Sequence, residues 1–229
     1  MIVTIDGPAG AGKSSVAKRL AKRLGFDFLD TGSMYRAVAW SLSAAKVDLE
    51  DSQAVTEALA NIKISMRDGQ VLVNGKDVTR FLRTPDISQQ ASIVAAIPAV
   101  RAELVNLQRA VAAQGNFVCE GRDQGTIVFP DSICKVFLTA SPEVRAERRW
   151  LEMKTHTPGL QLEDVIAEQK IRDLRDETRK VGRLEKAKDA TEIRVDKLSL
   201  DEVIDQIETL ANAAQATLAA GNAQADSSG

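Results

Sequence analysis

Apolar positions along this chain follow two periods. Ile2, Val3 and Ile5 make a short apolar run, "IVTID", that ends at a glycine-rich turn; "SSVAKRLAKRLG" then repeats its apolar residues at helical spacing and stops at Gly25. The order recurs in "FDFLD" followed by "SMYRAVAWSLSAAK". Three further strand-length runs, "NFVCE", "CKVFL" and "IRVD", are separated by segments of helical periodicity. Strands alternating with helices predict an α/β fold, a five-stranded parallel sheet with helices on both faces.

One segment breaks the pattern. In residues 61–84, "IKISMRDGQVLVNGKDV" alternates apolar and polar residues around Asp68-Gly69 and Asn74-Gly75, both hairpin signals. This predicts a small antiparallel insert, with the core in 1–60 and 85–212. Helical spacing resumes in "ISQQASIVAAI", breaks at Pro98 and continues in "AVRAELVNLQRAVAAQ". Beyond "SLDEVIDQIETLANAA", residues 213–229 are small and polar and are expected as a disordered tail.

Composition narrows the partners. Hydrophobic residues are 44% and charged residues 27% of 229, ordinary for one globular domain with an excursion, while aromatics at 4% leave the core to Val, Ile, Leu and Ala. A net charge of −2 offers no global attraction to nucleic acid or an anionic membrane, so any anion must be met by local arginines. No apolar run approaches the roughly 18 residues of a membrane span, and no signal leader is expected before the first strand. We expect a cytoplasmic monomer that binds neither nucleic acid nor membrane. Cys119 and Cys134 sit inside apolar runs and read as core thiols. His156, the only histidine, falls in the polar turn "KTHTPG" and is expected to take no part in chemistry.

The chemistry begins at "GPAGAGKS", residues 7–14, a full match to G-x-x-x-x-G-K-[ST] between a strand and a helix. There the backbone N–H groups and the helix N-terminus cradle phosphates, Lys13 reaches the β- and γ-phosphates, and the Ser14 hydroxyl can ligate Mg2+. Gly7, Pro8, Ala9, Gly10, Ala11, Gly12, Lys13, Ser14 and Ser15 are therefore the candidate ATP contacts. Such a loop serves switches, motors and kinases alike. The Asn-Lys-x-Asp motif that reads guanine is absent, and the run "FVCEGRD" ends in Glu120 and passes straight into a charged turn. Arginines abound near the proposed site, and positive charge is what transfer between two anionic partners needs.

Read alone, "RDLRDETR" (172–179) places Arg172, Arg175, Asp176 and Arg179 on one helical face, a solvated ladder of ion pairs.

Six runs in order resemble bacterial cytidylate kinases, nucleoside monophosphate kinases with a phosphate loop, over about residues 2–211. They are "IDGPAGAGKSS", "LDTGSMYRAVA", "TPDISQQASIVAAIPAVR", "CEGRDQGTIVFPD", "KVFLTASPEVRAERR" and "IRDLRDETR". The resemblance implies a P-loop NTPase fold, a helical lid at about 153–182, and an insert that enlarges the acceptor lobe. It also implies Mg2+-dependent in-line transfer of the γ-phosphoryl group from ATP to CMP or dCMP. By the same resemblance Thr31, Tyr35 and Arg36 line the monophosphate pocket, with Arg36 and Arg101 as a paired phosphate clamp. Ser92, Arg122 and Asp123 meet the cytosine ring, and Arg172 and Asp176 reach the acceptor. Arg172, Arg179 and Arg175 join Lys13 as the expected catalytic set; by helical spacing Asp173 and Glu177 fall on other sides of the helix and are expected in solvent. Where the family often has Asp this chain has Glu120. Two alternatives stay open: a kinase of another small acceptor, such as a different nucleotide or dephospho-coenzyme A, and a nucleotide-dependent switch.

Overall fold

The computed structural model describes residues 1–67, 69–155, 157 and 159–226, with side chains as far as 220. Asp68 of the expected hairpin turn, His156 and residues 227–229 of the expected tail lie outside the described residues.

The five apolar runs form one parallel sheet: β1 (Ile2–Asp6), β2 (Asp27–Asp30), β6 (Phe117–Gly121), β7 (Cys134–Thr139) and β8 (Thr191–Arg194). Their order is β2-β6-β1-β7-β8, and every pair is parallel. Successive strand residues point to opposite faces, so the sheet carries a core on each side, to which β2 and β6 contribute on both faces and β7 and β8 on one. Val3, Ile5, Val118, Val136 and Leu138 pack on α1 (Lys13–Leu24) and α8 (Leu200–Asp226) through Val16, Leu20, Ile204 and Ile207. Leu29, Phe117 and Cys119 turn the other way, onto α2 (Thr31–Ala44), α4 (Pro85–Val94) and α5 (Pro98–Ala112). Burying one leucine such as Leu20 is worth about 2 kcal/mol, and some forty apolar residues of this kind hold the helices to both faces. Both cysteines are buried free thiols, and burial pushes them up, Cys134 to about 11, which keeps them protonated and inert.

The insert is a three-stranded antiparallel sheet of β3 (Ile64–Arg67), β4 (Gln70–Val73) and β5 (Lys76–Asp77). Asn74 and Gly75 both take positive φ, 50° and 78°, the mirror-image turn that suits a two-residue hairpin. Val71, Val73, Val78 and Leu82 pack on Ala37 and Trp40, so the insert rests on α2, the helix that carries Tyr35 and Arg36.

The structure adds detail at two places and changes one expectation. A helix, α3 (Ser52–Leu59), fills the stretch before the insert, started by Asp51, whose carboxylate accepts from the N–H groups of Gln53 and Ala54. The break expected at Pro98 falls between α4 and α5, and Pro98 opens α5 at its first position, where its missing N–H costs nothing. Residues 213–226, expected as a disordered tail, continue α8; alanine-rich sequence has high helix propensity even where residues 215–220 are exposed. Among the described residues no helix is long and apolar enough to cross a membrane.

Candidate active site

Between β1 and α1 the chain makes the glycine turn. Gly7 has φ 148°, and a Cβ there would stand 2.0 Å from the Leu138 carbonyl oxygen on β7, so only glycine lets the loop leave the sheet here. Gly7→Ala is expected to destabilise the fold by about 2 kcal/mol or more and to abolish ATP binding, both readable from thermal melts with and without ATP. The N-cap of α1 is Gly12, without a side-chain cap and with no acid in the first turn, which leaves those N–H groups for a phosphate.

Ala9 to Ser15 form one wall of a single cleft of about 620 Å3, within the range of small-molecule sites. Gly7 and Pro8 lie behind it. Lys13 is buried and donates from Nζ to the Pro8 carbonyl, 2.7 Å away. Burial, reinforced by Arg122 and opposed by Glu120, brings its ammonium down to about 7. Glu120, at the end of β6, is pushed up by burial and by Asp30, against the pull of Lys13 and a hydrogen bond with the exposed Ser14 hydroxyl.

The facing walls come from the carboxyl end of the sheet and the helices beyond it, where open α/β sheets bind ligands. Thr31, Tyr35 and Arg36 line the cleft from the start of α2, Ser92 from α4, and Arg122 and Asp123 from the end of β6. Thr31 is held by its hydroxyl on the Glu120 carbonyl at 2.6 Å. Arg36 is committed to Asp30 at 3.1 Å and to Ser33 at 2.6 Å. Asp30, absent from the sequence expectations, is also the N-cap of α2, accepting from the Ser33 N–H; the spacing of "DTGS" at a strand-to-helix junction was the signal for it.

Arg101 departs from the expected clamp. It is buried, outside the cleft wall, ion-paired with Asp123 and bonded to the Tyr35 hydroxyl at 3.2 Å, beneath Gly182. Arg36 and Arg101 are thus held by different partners, Arg36 by Asp30 and Ser33 and Arg101 by Asp123 and Tyr35. Burial pushes the Asp123 carboxyl up against the guanidinia of Arg101 and Arg179, and pushes the Tyr35 phenol up to about 12. The turn carrying Asp123 is fixed from below by Asp6, also unforeseen, whose oxygens accept from the N–H groups of Gln124 at 2.8 Å and Gly125 at 2.7 Å. Burial lifts Asp6 to about 7 despite those two bonds.

The last wall is α7 (Leu162–Thr178), laid against α6 (Pro142–Met153). Arg172, Asp176 and Arg179 line the cleft; Arg175 does not, since it sits about 100° round the helix from Asp176. Nor is Arg179 helical: α7 ends at Thr178, and Arg179 has ψ 143°. Asp176 bonds Arg122 at 2.9 Å and Ser92 at 3.2 Å, with Arg179 at 3.8 Å, rather than Arg172 one turn away. Burial works against its charge, but the guanidinia of Arg122, Arg172 and Arg179 outweigh it and hold the carboxyl below its usual range. The Arg172 Nε is buried without a partner among the described residues; burial, then Arg122, lowers its guanidinium to about 10, still charged at neutral pH. Asp173, expected in solvent, is instead ion-paired with Arg145 at 2.7 Å. Arg148 and Arg149 of α6 and the apolar Val195, Leu198 and Leu200 complete the cleft beside the phosphate loop, and the sequence reading passed over all five.

A family model described as Cytidylate kinase matches residues 3–213. A cytidylate kinase from Rhodopirellula baltica is 42% identical over 226 residues, covering 99% of each chain. A bifunctional pantoate ligase/cytidylate kinase from Synechococcus elongatus is 46% identical over 215 residues, which are 90% of this chain and 41% of that protein. Among solved structures, an uncharacterized protein from Eubacterium ventriosum shares the fold with a TM-score of 0.51 at 15% identity, over 93% of this chain and 98% of that one.

Proposed function

The chain belongs to the cytidylate kinase family and phosphorylates CMP with ATP; from that premise we propose which groups of the cleft carry the transfer. ATP lays its phosphates on residues 9–15, with Lys13 at the β- and γ-phosphates and its base toward Arg148, Arg149 and Leu198. CMP or dCMP lies opposite, its phosphate toward Arg36, Arg122 and Arg172 and its base toward Ser92 and the Asp123–Arg101 pair. The observation that carries this reading is the position of Asp176, which joins α4 and the end of β6 to α7 directly across from the phosphate loop.

The attacking phosphate oxygen is already anionic, so no side chain has to remove a proton; the protein's work is alignment and charge neutralisation. Arg179 and Arg172 supply positive charge to the transferring group from the lid. Arg175, off the cleft, acts at most through them. The lid at 153–182 excludes water and so limits hydrolysis of ATP.

Mg2+ suits the donors present. Among the described residues no three acidic, histidine or cysteine side chains gather as a metal cage, and Mg2+ asks for less: one or two carboxylates together with substrate phosphates and water. The exposed Ser14 hydroxyl and the Glu120 carboxylate bonded to it would hold the ion, Glu120 reaching with one methylene more than an aspartate. Held by those two side chains, Mg2+ would supply positive charge to offset the charge that develops on the phosphates.

A panel of acceptors tests the assignment. With ATP and Mg2+ present, CMP and dCMP are expected to raise ADP release at least tenfold above AMP, GMP or no acceptor. Equal release with every acceptor would overturn it.

A further inference from the structure

Arg145, near the start of α6, is buried and takes no part in the chemistry described above. Its guanidinium is shared among three elements: Nε donates to the Ala140 carbonyl beyond β7 at 3.1 Å, Nη1 to the Ala9 carbonyl of the phosphate loop at 2.9 Å, and Nη2 to Asp173 of α7 at 2.7 Å. The Arg145 backbone also presses on the loop, since a Cβ on Gly10 would lie 3.0 Å from its carbonyl oxygen. Asp173 stands one residue from Arg172 and three from Asp176, and a second bond, Gln169 Nε2 to the Pro142 carbonyl at 3.0 Å, holds the same side of α7.

In a trans peptide the C=O and the following N–H point in opposite directions. Fixing the Ala9 carbonyl on Arg145 therefore turns the Gly10 N–H the other way, into the cleft that Gly10 lines. A phosphate accepting from that N–H polarises the Ala9 carbonyl and strengthens its bond to Arg145, and hydrogen bonds linked in this way reinforce one another.

We propose that Arg145 and Asp173 are positioning residues that couple the two halves of the site. The guanidinium that orients the donor loop also sets the lid helix, so a nucleotide on residues 9–15 prepares Arg172 and Asp176 for the acceptor. The inference rests on reading those two side chains as acceptor contacts. It predicts heterotropic coupling through a pair that touches neither substrate.

Calorimetry on the full chain tests it, with the dissociation constant of CMP measured alone and with a saturating non-hydrolysable ATP analogue plus Mg2+. In the wild type the analogue is expected to tighten CMP by about fivefold or more, and in Asp173→Asn and Asp173→Ala by no more than about twofold. CMP affinity without the analogue is expected to stay close to wild type, the thermal midpoint to fall by a few degrees because the buried Arg145 loses its ion-pair partner, and Asp173→Glu to recover at least half of the tightening. The proposal is overturned if both variants keep the full tightening, if the wild type shows none, or if the variants lose stability and both affinities in parallel with the ratio unchanged. The underlying reading has its own arm: Arg172→Ala should weaken CMP binding without the analogue, and its failure to do so would condemn the acceptor assignment whatever Asp173 does.

Discussion

Arg179→Ala is expected to lower kcat by about 1000-fold, the scale at which a single arginine stabilises a transferring phosphoryl group. The side chain is only 4% exposed, yet it reaches the cleft because the chain leaves helical geometry at Arg179, and its Nε donates to the Gly182 carbonyl at 2.5 Å, which fixes the direction of the fork. Gly182 can take no side chain in return: its φ is 61°, and a Cβ would overlap the guanidinium of Arg101. Loss of Arg179 leaves the Gly182 carbonyl unpaired at a cost of about 1 to 2 kcal/mol, which a stable domain survives. Asp176 keeps Arg122 as its partner. Arg179→Lys keeps the charge without the fork and should regain only a small part of the rate. Glu177→Ala, at an exposed position outside the cleft, should alter neither rate nor midpoint. Comparable, mild losses from Arg179→Ala and Glu177→Ala would return 172–179 to the solvated ladder that its charges suggest.

Asp123→Asn should raise KM for CMP about 100-fold or more while KM for ATP stays within about twofold, because a site built around a buried polar pair loses most when that pair is left unmatched. The carboxylate is 2% exposed and faces Arg101, which is 3% exposed. Removing its charge strands a buried guanidinium, and the fold should lose about 3 kcal/mol as well. Thermal melts with ATP present separate the two effects: ATP should stabilise the variant by as many degrees as it stabilises the wild type. Parallel weakening of ATP and CMP would show that Asp123 merely supports the turn.

The sequence announced whatever depends on local pattern. Apolar periodicity marked the five strands, turn chemistry marked the hairpin insert, and the spacing of Gly7, Gly12, Lys13 and Ser14 marked the loop, because each is decided by residues adjacent in the chain. What it hid is set by contacts across the fold. Arg101 and Asp123 are 22 residues apart, and Asp6 and Gln124 are 118 apart. Helical spacing put Arg175 and Arg179 on the face of Arg172, but α7 ends one residue too soon for Arg179 and the cleft is too narrow in angle for Arg175. Asp173 looked like solvent-facing charge because nothing nearby in sequence reveals Arg145, 28 residues earlier, buried behind the phosphate loop. Asp30 was legible as an N-cap and was passed over.

The position of Asp176 bears on selectivity. Its carboxylate serves Arg122 and Ser92 and stands near Arg179, so on the proposed assignment the acceptor's phosphate would meet Arg122 beside an anion of the protein's own. An arriving phosphate gains only the difference between two ion pairs, one made and one loosened. Inorganic phosphate has nothing to add to that small margin, whereas a mononucleotide adds its ribose and its base. On that assignment α7 would give up raw affinity in return for rejection of bare anions.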